Sequence, residues 1–425
     1  MQPTMKYLLL AVVLLFLSEK SQGCSAYKLT VGDKTMVGSN YDTWCTQPHI
    51  WFETSGYGAY FTGARAMGNF DFAPQTGMNV HGLAFVTLAA PSQHTDKDLS
   101  GLKKITNRSQ FLQDVLHQCK NVSEVKAYLS QYDRSELNQE VLLYTDRTGH
   151  YLIAEPYELL EGNDDRYVQA NFCPSTVSDL STIQQKRYVN GNQFVRNKLD
   201  TTLAFCTSLS DTMHVCRERF GDGTLLTSIL DLKSNNLHLF FYHDYDHRVS
   251  FNLDEELKKG DHRIDLLTLF PANPEFEVLR NHMTPMNSPK LSAGVILFLT
   301  LFFVIALLML ISFLLGLRKI KYNALKLLIG LIALLMSWQM YVLGTQEGIY
   351  YFPAPYNTGT NSIINMAGYL PFAALLLIIP AFVLNYQVIR KKIWGLIPTS
   401  AFFLMNMMIT CCIAGFMYWK FYDVF

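Results

Sequence analysis

Cys24 is the residue with the clearest means of doing chemistry, because of what precedes it. Residues 1–23 read as a secretory leader. Lys6 opens it, an apolar run follows over 7–17, and Ser21-Gln22-Gly23 sets small residues at both ends of a cleavage triplet. Cleavage after Gly23 leaves a chain that begins with cysteine. Its thiol is a nucleophile, and its α-amino group, with a pKa of about 8, is a base on the same residue. One residue then supplies both halves of an activated nucleophile. Two other readings stay open on this stretch alone: a disulfide half-cystine, or a lipidated cysteine, for which Ser-Gln-Gly lacks the usual small apolar character.

The elements that must hold Cys24 follow from residue pattern. Residues 25–31 read as a strand, 32–34 as a turn and 35–38 as a second strand, so Cys24 sits at the open start of a hairpin. Residues 77–86 read as a turn feeding a buried strand. Helical spacing appears over 109–119 (Phe111, Val115) and 122–129 (Val125, Leu129). Strands 138–144 and 151–155 pair across a turn at 146–149, and 225–232 and 237–242 pair across 234–236. Between them a strand over 167–170 runs into Asn171-Phe172-Cys173-Pro174. Strand pairs with helices grouped between them predict an α+β layered fold. On local pattern alone, Asp42 is an Asx-turn at a strand end, Asn171 a turn residue before Pro174, and Asn79 a turn former. His81, His117 and His243 read as surface or core histidines.

Charge and hydropathy divide the chain. Its 425 residues carry 35 basic and 35 acidic side chains, a balance that gives no electrostatic case for nucleic acid. At 49% hydrophobic and 16% charged it is too apolar for an ordinary soluble protein, and the excess lies after residue 288. Residues 24–288 have a normal polar mix, long enough for one large domain. They hold Cys24, Cys45, Cys119, Cys173, Cys206 and Cys216, among which Cys206 and Cys216 are a candidate disulfide. No Cys or His spacing marks a metal site, and no cofactor is expected. In 289–425, four apolar segments at 293–316, 324–343, 366–384 and 394–419 are long enough to cross a bilayer. Arg318, Lys319 and Lys321 follow the first, and Arg390, Lys391 and Lys392 follow the third, whereas 344–365 has no Lys or Arg. The basic loops are therefore expected in the cytosol and residues 24–288 outside it. No charged residue sits mid-span, which argues against an ion pump, and the aromatic run 349–356 suits the lipid headgroup level. Asn107-Arg108-Ser109 and Asn121-Val122-Ser123 are glycosylation sequons on the same outer side.

Several stretches recur in a telling order. Cys24 is followed by Gly38-Ser39-Asn40-Tyr41-Asp42, then Gly77-Met78-Asn79-Val80-His81-Gly82-Leu83, then Gln118-Cys119-Lys120-Asn121-Val122-Ser123-Glu124-Val125, and then Asp146 through Gly149 to Glu155. Over residues 24–250 this set resembles the N-terminal-nucleophile cysteine hydrolases of the choloylglycine hydrolase and penicillin acyltransferase superfamily. The resemblance implies an αββα sandwich that starts at the cysteine, here followed by an all-α four-helix transmembrane region. It implies that Cys24 attacks an amide carbonyl, that Asp42 orients the thiol or amino group, and that Asn171 donates to the oxyanion. No imidazole, metal or cofactor is required.

The departures bear on substrate. Ser39 stands where the family has Arg, and a second family Arg falls at Gly223, with Arg217 and Arg219 nearby. A donor that follows the Gly-Leu strand falls near Ala89, which offers only a backbone NH. These changes weaken a bile-salt or penicillin V assignment. The first reading is thus a membrane-anchored amidase or acyltransferase acting on a linear N-acyl amide, a lipid amide among the candidates, with membrane lipids around its anchor. The second is a receptor or scaffold that keeps the fold without catalysis.

Overall fold

The computed structural model describes residues 23–65, 72–90, 97, 99–216, 223–316, 322–351 and 362–423. The leader through Gln22, Arg217, Arg219, the basic loop at 317–321 and the aromatic stretch from Phe352 lie outside the described residues. The chain divides into two units, one spanning Ser21–Asn281 and one containing His282–Phe425.

In the first unit, residues alternate between two faces that are both buried. β1 (Ser25–Val31) and β2 (Lys34–Asp42) form the expected hairpin, with the second strand longer than its apolar pattern suggests. β3 (Gln47–Glu53) and β4 (Ala59–Arg65) follow, then β5 (Ala73–Asn79) and β6 (Ala84–Ala89). β7 (Lys103–Lys104) and β8 (Tyr132–Asp133) make a short parallel pair. Next come β9 (Glu140–Thr145), β10 (Tyr151–Ala154), β11 (Leu159–Gly162) and β12 (Arg166–Gln169). β13 (Thr224–Asp231), β14 (Asn236–Phe241), β15 (Arg248–Asn252) and β16 (His262–Asp265) complete the strands. They form a six-stranded sheet ordered β12-β1-β2-β13-β14-β15 and an eight-stranded sheet ordered β11-β10-β9-β6-β5-β4-β3-β16.

The faces sort cleanly. Ala26, Val37, Leu226 and Leu239 of the six-stranded sheet pack against Tyr60, Met78, Val86, Leu143 and Ile153 of the eight-stranded one. The alternate residues point outward. Phe61, Phe85 and Leu142 meet α1 (Arg108–Gln118) and α2 (Val122–Leu129). Tyr27, Met36 and Ile229 meet α3 (Lys186–Asn197) and α4 (Leu203–Met213). Two short helices, α5 (Leu253–Leu257) and α6 (Pro274–Arg280), close the unit. Helix, sheet, sheet, helix is the αββα sandwich, and each fully buried large apolar side chain in it contributes about 1.5–3 kcal/mol.

Among the described residues, the second unit holds four helices long and apolar enough to cross a membrane: α7 (Pro289–Leu315), α8 (Ala324–Thr345), α9 (Ser362–Arg390) and α10 (Leu396–Tyr418). Their outward faces are apolar, with Leu315, Leu376 and Leu396 at 85%, 77% and 82% exposure. Inside, Ser337 Oγ donates to Leu299 O at 3.0 Å and ties α8 to α7.

The candidate disulfide is a correction. Cys206 and Cys216 are both free thiols. Cys206 is buried in the helix layer beneath Tyr27, whereas Cys216 lies exposed beyond the end of α4, so their side chains occupy different environments.

Candidate active site

The residue before β1 reaches the end of the inter-sheet layer because β1 and β2 pair in register, Ser25 opposite Asn40. Cys24 is 6% exposed and belongs to the inter-sheet core, with its Sγ 3.8 Å from the main-chain oxygen of Asp42. Gly38 makes this hairpin possible. It faces Tyr27, and a Cβ there would stand 2.0 Å from the Tyr27 ring. The ring crosses the bare glycine, donates its hydroxyl to Cys206 O at 2.7 Å and meets Ser210 Oγ at 2.9 Å. β1, which follows Cys24, is thereby locked to α4.

Asp42 ends β2 and is buried. Its Oδ1 accepts from Thr224 Oγ1 at 2.6 Å, and the next residue, Thr43, donates its main-chain N–H to Gly223 O at 3.0 Å. Thr224 opens β13, so the carboxylate is fixed by the neighbouring strand while the Asp42 carbonyl meets the thiol.

Asn171 follows β12, which pairs with β1 through Gln169 opposite Ala26. Its Nδ2 donates one hydrogen to Ala89 O at 2.7 Å. Ala89 therefore contributes its carbonyl to this side chain, where sequence had left only a backbone NH. The Asn171 main chain exchanges two hydrogen bonds with the Gln185 amide, at 3.1 and 3.0 Å. Downstream, the buried Glu155 carboxylate accepts from Ser175 N at 2.9 Å and from Ser175 Oγ, which anchors the Asn171–Pro174 stretch. Asn171 packs directly on the residue preceding Cys24: a Cβ on Gly23 would lie 2.5 Å from Asn171 Nδ2.

Arg187, in the first turn of α3, is the residue that sequence reasoning missed. It is buried, its Nε donates to Cys24 O at 3.3 Å, and its Nη2 donates to Asn171 Oδ1. It thus fixes which end of the Asn171 amide carries the donor and links that side chain to the main chain of Cys24. No motif marks it, since the contact joins positions 163 residues apart.

The other expectations sort by partner. Asn79 shapes a turn: its Nδ2 donates to Leu116 O and Cys119 O at 2.7 and 2.8 Å, and its Oδ1 accepts from His81 N at 3.1 Å. Ser39 Oγ accepts from Thr76 Oγ1 at 3.3 Å, a neutral contact between the sheets. Burial pushes the Cys119 and Cys206 thiols up to about 12, which removes both as candidate nucleophiles. Burial pulls the Lys28 ammonium down to about 8, against the opposing carboxylates of Asp165 and Asp164.

No family model and no curated protein matches the chain. Similar solved structures are penicillin V acylase from Agrobacterium tumefaciens (16% identity, TM-score 0.45, 57% of this chain and 91% of that one). Two variants of conjugated bile acid hydrolase from Clostridium perfringens are also similar. Both are 17% identical; one has a TM-score of 0.44 over 59% of this chain and 97% of its own, the other 0.43 over 58% and 97%.

Proposed function

We propose that this chain is a membrane-anchored amide hydrolase or acyltransferase that cleaves a linear N-acyl amide through Cys24, with residues 24–288 outside the cytoplasm. The observation that carries this reading is the Cys24 thiol at the Asp42 main-chain oxygen, with Arg187 bridging the Cys24 carbonyl to the Asn171 side chain. A peptide nitrogen is not a base, so the reaction requires that the Gly23–Cys24 bond be cut.

In the processed chain the α-amino group takes the thiol proton and Sγ attacks the substrate carbonyl. The carbonyl oxygen becomes an oxyanion, and the Asn171 Nδ2 hydrogen not given to Ala89 is the donor for it. The C–N bond then breaks, and the amine leaves with the proton carried by the α-ammonium. Water attacks the resulting thioester and releases the acid; an amine in its place gives acyl transfer. Four apolar helices exceed what an anchor needs, which favours an N-acyl amide that partitions into lipid.

The test is the mature N-terminus of the protein purified from membranes, read with and without a thiol-directed activity probe. The expected result is a chain that starts at Cys24, takes one probe label there and loses it in Cys24→Ser. A mature chain that starts elsewhere, or a lipidated Cys24, removes the base and leaves the non-catalytic scaffold as the better reading. Equal cleavage of short soluble and long-chain amides would count against the lipid substrate.

A further inference from the structure

Three side chains that this reaction does not use converge where the chain leaves α4. His214 follows the helix, Cys216 stands two residues on, and His243 comes from the turn after β14. Their donor atoms all lie within 4.8 Å of one another. His214 Nε2 is 3.2 Å from Cys216 Sγ, and the two imidazole rings stack with centroids 5.1 Å apart. A tetrahedral zinc ion with bonds of about 2.0–2.3 Å sets its ligand atoms roughly 3.3–3.8 Å apart. The cluster is therefore within small side-chain rotations of a closed site.

Independent features point to a cation. His214 Nδ1 faces the Asp211 carbonyl oxygen and lies 3.1 Å from the Asp211 carboxylate. The ring proton is thereby held on Nδ1, and Nε2 turns its lone pair toward Cys216, the arrangement that metal-bound histidines adopt with their outer partners. Tyr242 and His243 both take left-handed backbone angles, with φ of 50° and 47°, a region that costs a non-glycine residue about 1 kcal/mol or more. The His243 ring on this turn stacks beside His214. Glu275 adds a fourth donor, its Oε2 3.8 Å from His243 Nε2.

We propose that His214, Cys216 and His243 bind a zinc-class divalent cation, with Glu275 or water as the fourth ligand. Binding converts the Cys216 thiol to a thiolate and releases its proton to solvent. The ion ties residues 214–216 to the turn after β14. Val215, between two ligands, donates its N–H to Thr224 Oγ1 at 2.9 Å and accepts from Thr224 N at 2.9 Å. That leaves the Thr224 hydroxyl proton for Asp42 Oδ1, at 2.6 Å. The cation is a staple one hydrogen bond removed from the Asp42 support, and takes no part in bond cleavage.

The test uses the full-length protein in detergent, stripped by a chelator and titrated with Zn²⁺ and then Co²⁺. One equivalent of zinc should bind and raise the thermal midpoint, and cobalt should give a thiolate charge-transfer band. Cys216→Ser should abolish the band. His243→Ala should weaken zinc at least as much as the roughly 10–100-fold that loss of an outer partner costs. His214→Gln serves as a second ligand variant should either of these fold poorly. Cys24→Ser should bind both metals as the parent does, so this proposal stands or falls apart from the amidase reading. Zinc binding well below one equivalent, or a cobalt band that survives Cys216→Ser, overturns it.

Discussion

The two helical layers of the sandwich differ in the size of their apolar contact and in where their polar contacts lead. α1 and α2 meet the eight-stranded sheet through an apolar contact: Phe111, Leu112, Val115 and Leu116 of the first helix and Val122, Val125 and Leu129 of the second press on Phe61, Phe85 and Leu142. Both helices are capped, Asn107 accepting from Gln110 N at 3.1 Å and Asn121 from Glu124 N at 2.9 Å. α3 and α4 meet the six-stranded sheet through a smaller apolar set crossed by polar contacts. Besides the Tyr27 hydroxyl, Asn40 Nδ2 donates to Ser210 O at 2.9 Å and Thr227 Oγ1 donates to Asn40 Oδ1 at 2.8 Å. Arg187 leaves the same layer for Cys24 and Asn171. Apolar packing is non-directional and tolerates small slides; hydrogen bonds hold one geometry. Both layers carry directional ties, Asn79 Nδ2 to Leu116 O and Cys119 O among those of the first, but the ties of the second reach Cys24 and Asn171.

That contrast separates loss of chemistry from loss of stability. Asn171→Ala should cut kcat about 10³-fold, about 4 kcal/mol of barrier, the effect of deleting one oxyanion donor. The thermal midpoint in detergent should fall modestly, because Ala89 O and the buried Arg187 Nη2 lose their partner, and by far less than the loss of turnover would require. A drop in midpoint that accounts for the whole loss of activity would make Asn171 a structural residue. Leu112→Ala should do the opposite. It empties a fully buried site in the α1–α2 layer and should cost about 3 kcal/mol of stability, while turnover per folded molecule stays at the parent value. If kcat falls with it, the two layers are not mechanically separate.

Tyr27→Phe probes the α3–α4 layer more gently. It removes the hydroxyl that bonds Cys206 O and Ser210 and keeps the ring over Gly38. The expected loss is about 1 kcal/mol in stability. Turnover should fall several-fold beyond that, because the strand that carries Cys24 loses its tie to α4. Unchanged turnover would place the register of β1 under the control of the sheet alone.

How much of this was legible depended on how local the signal was. The β1–β2 hairpin shows because Gly32-Asp33 divides two alternating runs, and α2 shows to its boundaries because Asn121 caps a run with Val122, Val125 and Leu129 on one face. β3, β4, α3 and α4 were not anticipated. α3 is strongly polar, with Arg187, Gly191 and Val195 its buried residues, so its sequence lacks the apolar stripe that announces a helix. Cys24 was reached from the leader that precedes it, and Asp42 and Asn171 were given roles through the resemblance that an ordered set of short motifs carries. Arg187 and the partnership of Cys216 with His243 were invisible, since each depends on elements that only sheet pairing brings together.

The smallest expected effect belongs to an ionic contact in the α1–α2 layer. His117, in the last turn of α1, has Nε2 2.7 Å from Glu53 Oε2 and Nδ1 3.2 Å from Tyr57 O. Burial alone would lower its pKa, but the Glu53 carboxylate and the Tyr57 carbonyl outweigh burial and raise it above the ordinary value. The folded state therefore holds this proton more tightly than the unfolded chain. The stabilisation is complete below about pH 6.5, where both states are protonated. It fades as pH rises from there through the raised folded value, because in that window the folded state binds more protons. The thermal midpoint should decline across that window by the equivalent of at most about 1 kcal/mol, the range for solvent-screened ion pairs. His117→Gln should flatten the decline and leave the activity profile, set at Cys24 in the other half of the sandwich, where it was. If the activity profile shifts with the stability profile, the α1–α2 layer reaches the site after all.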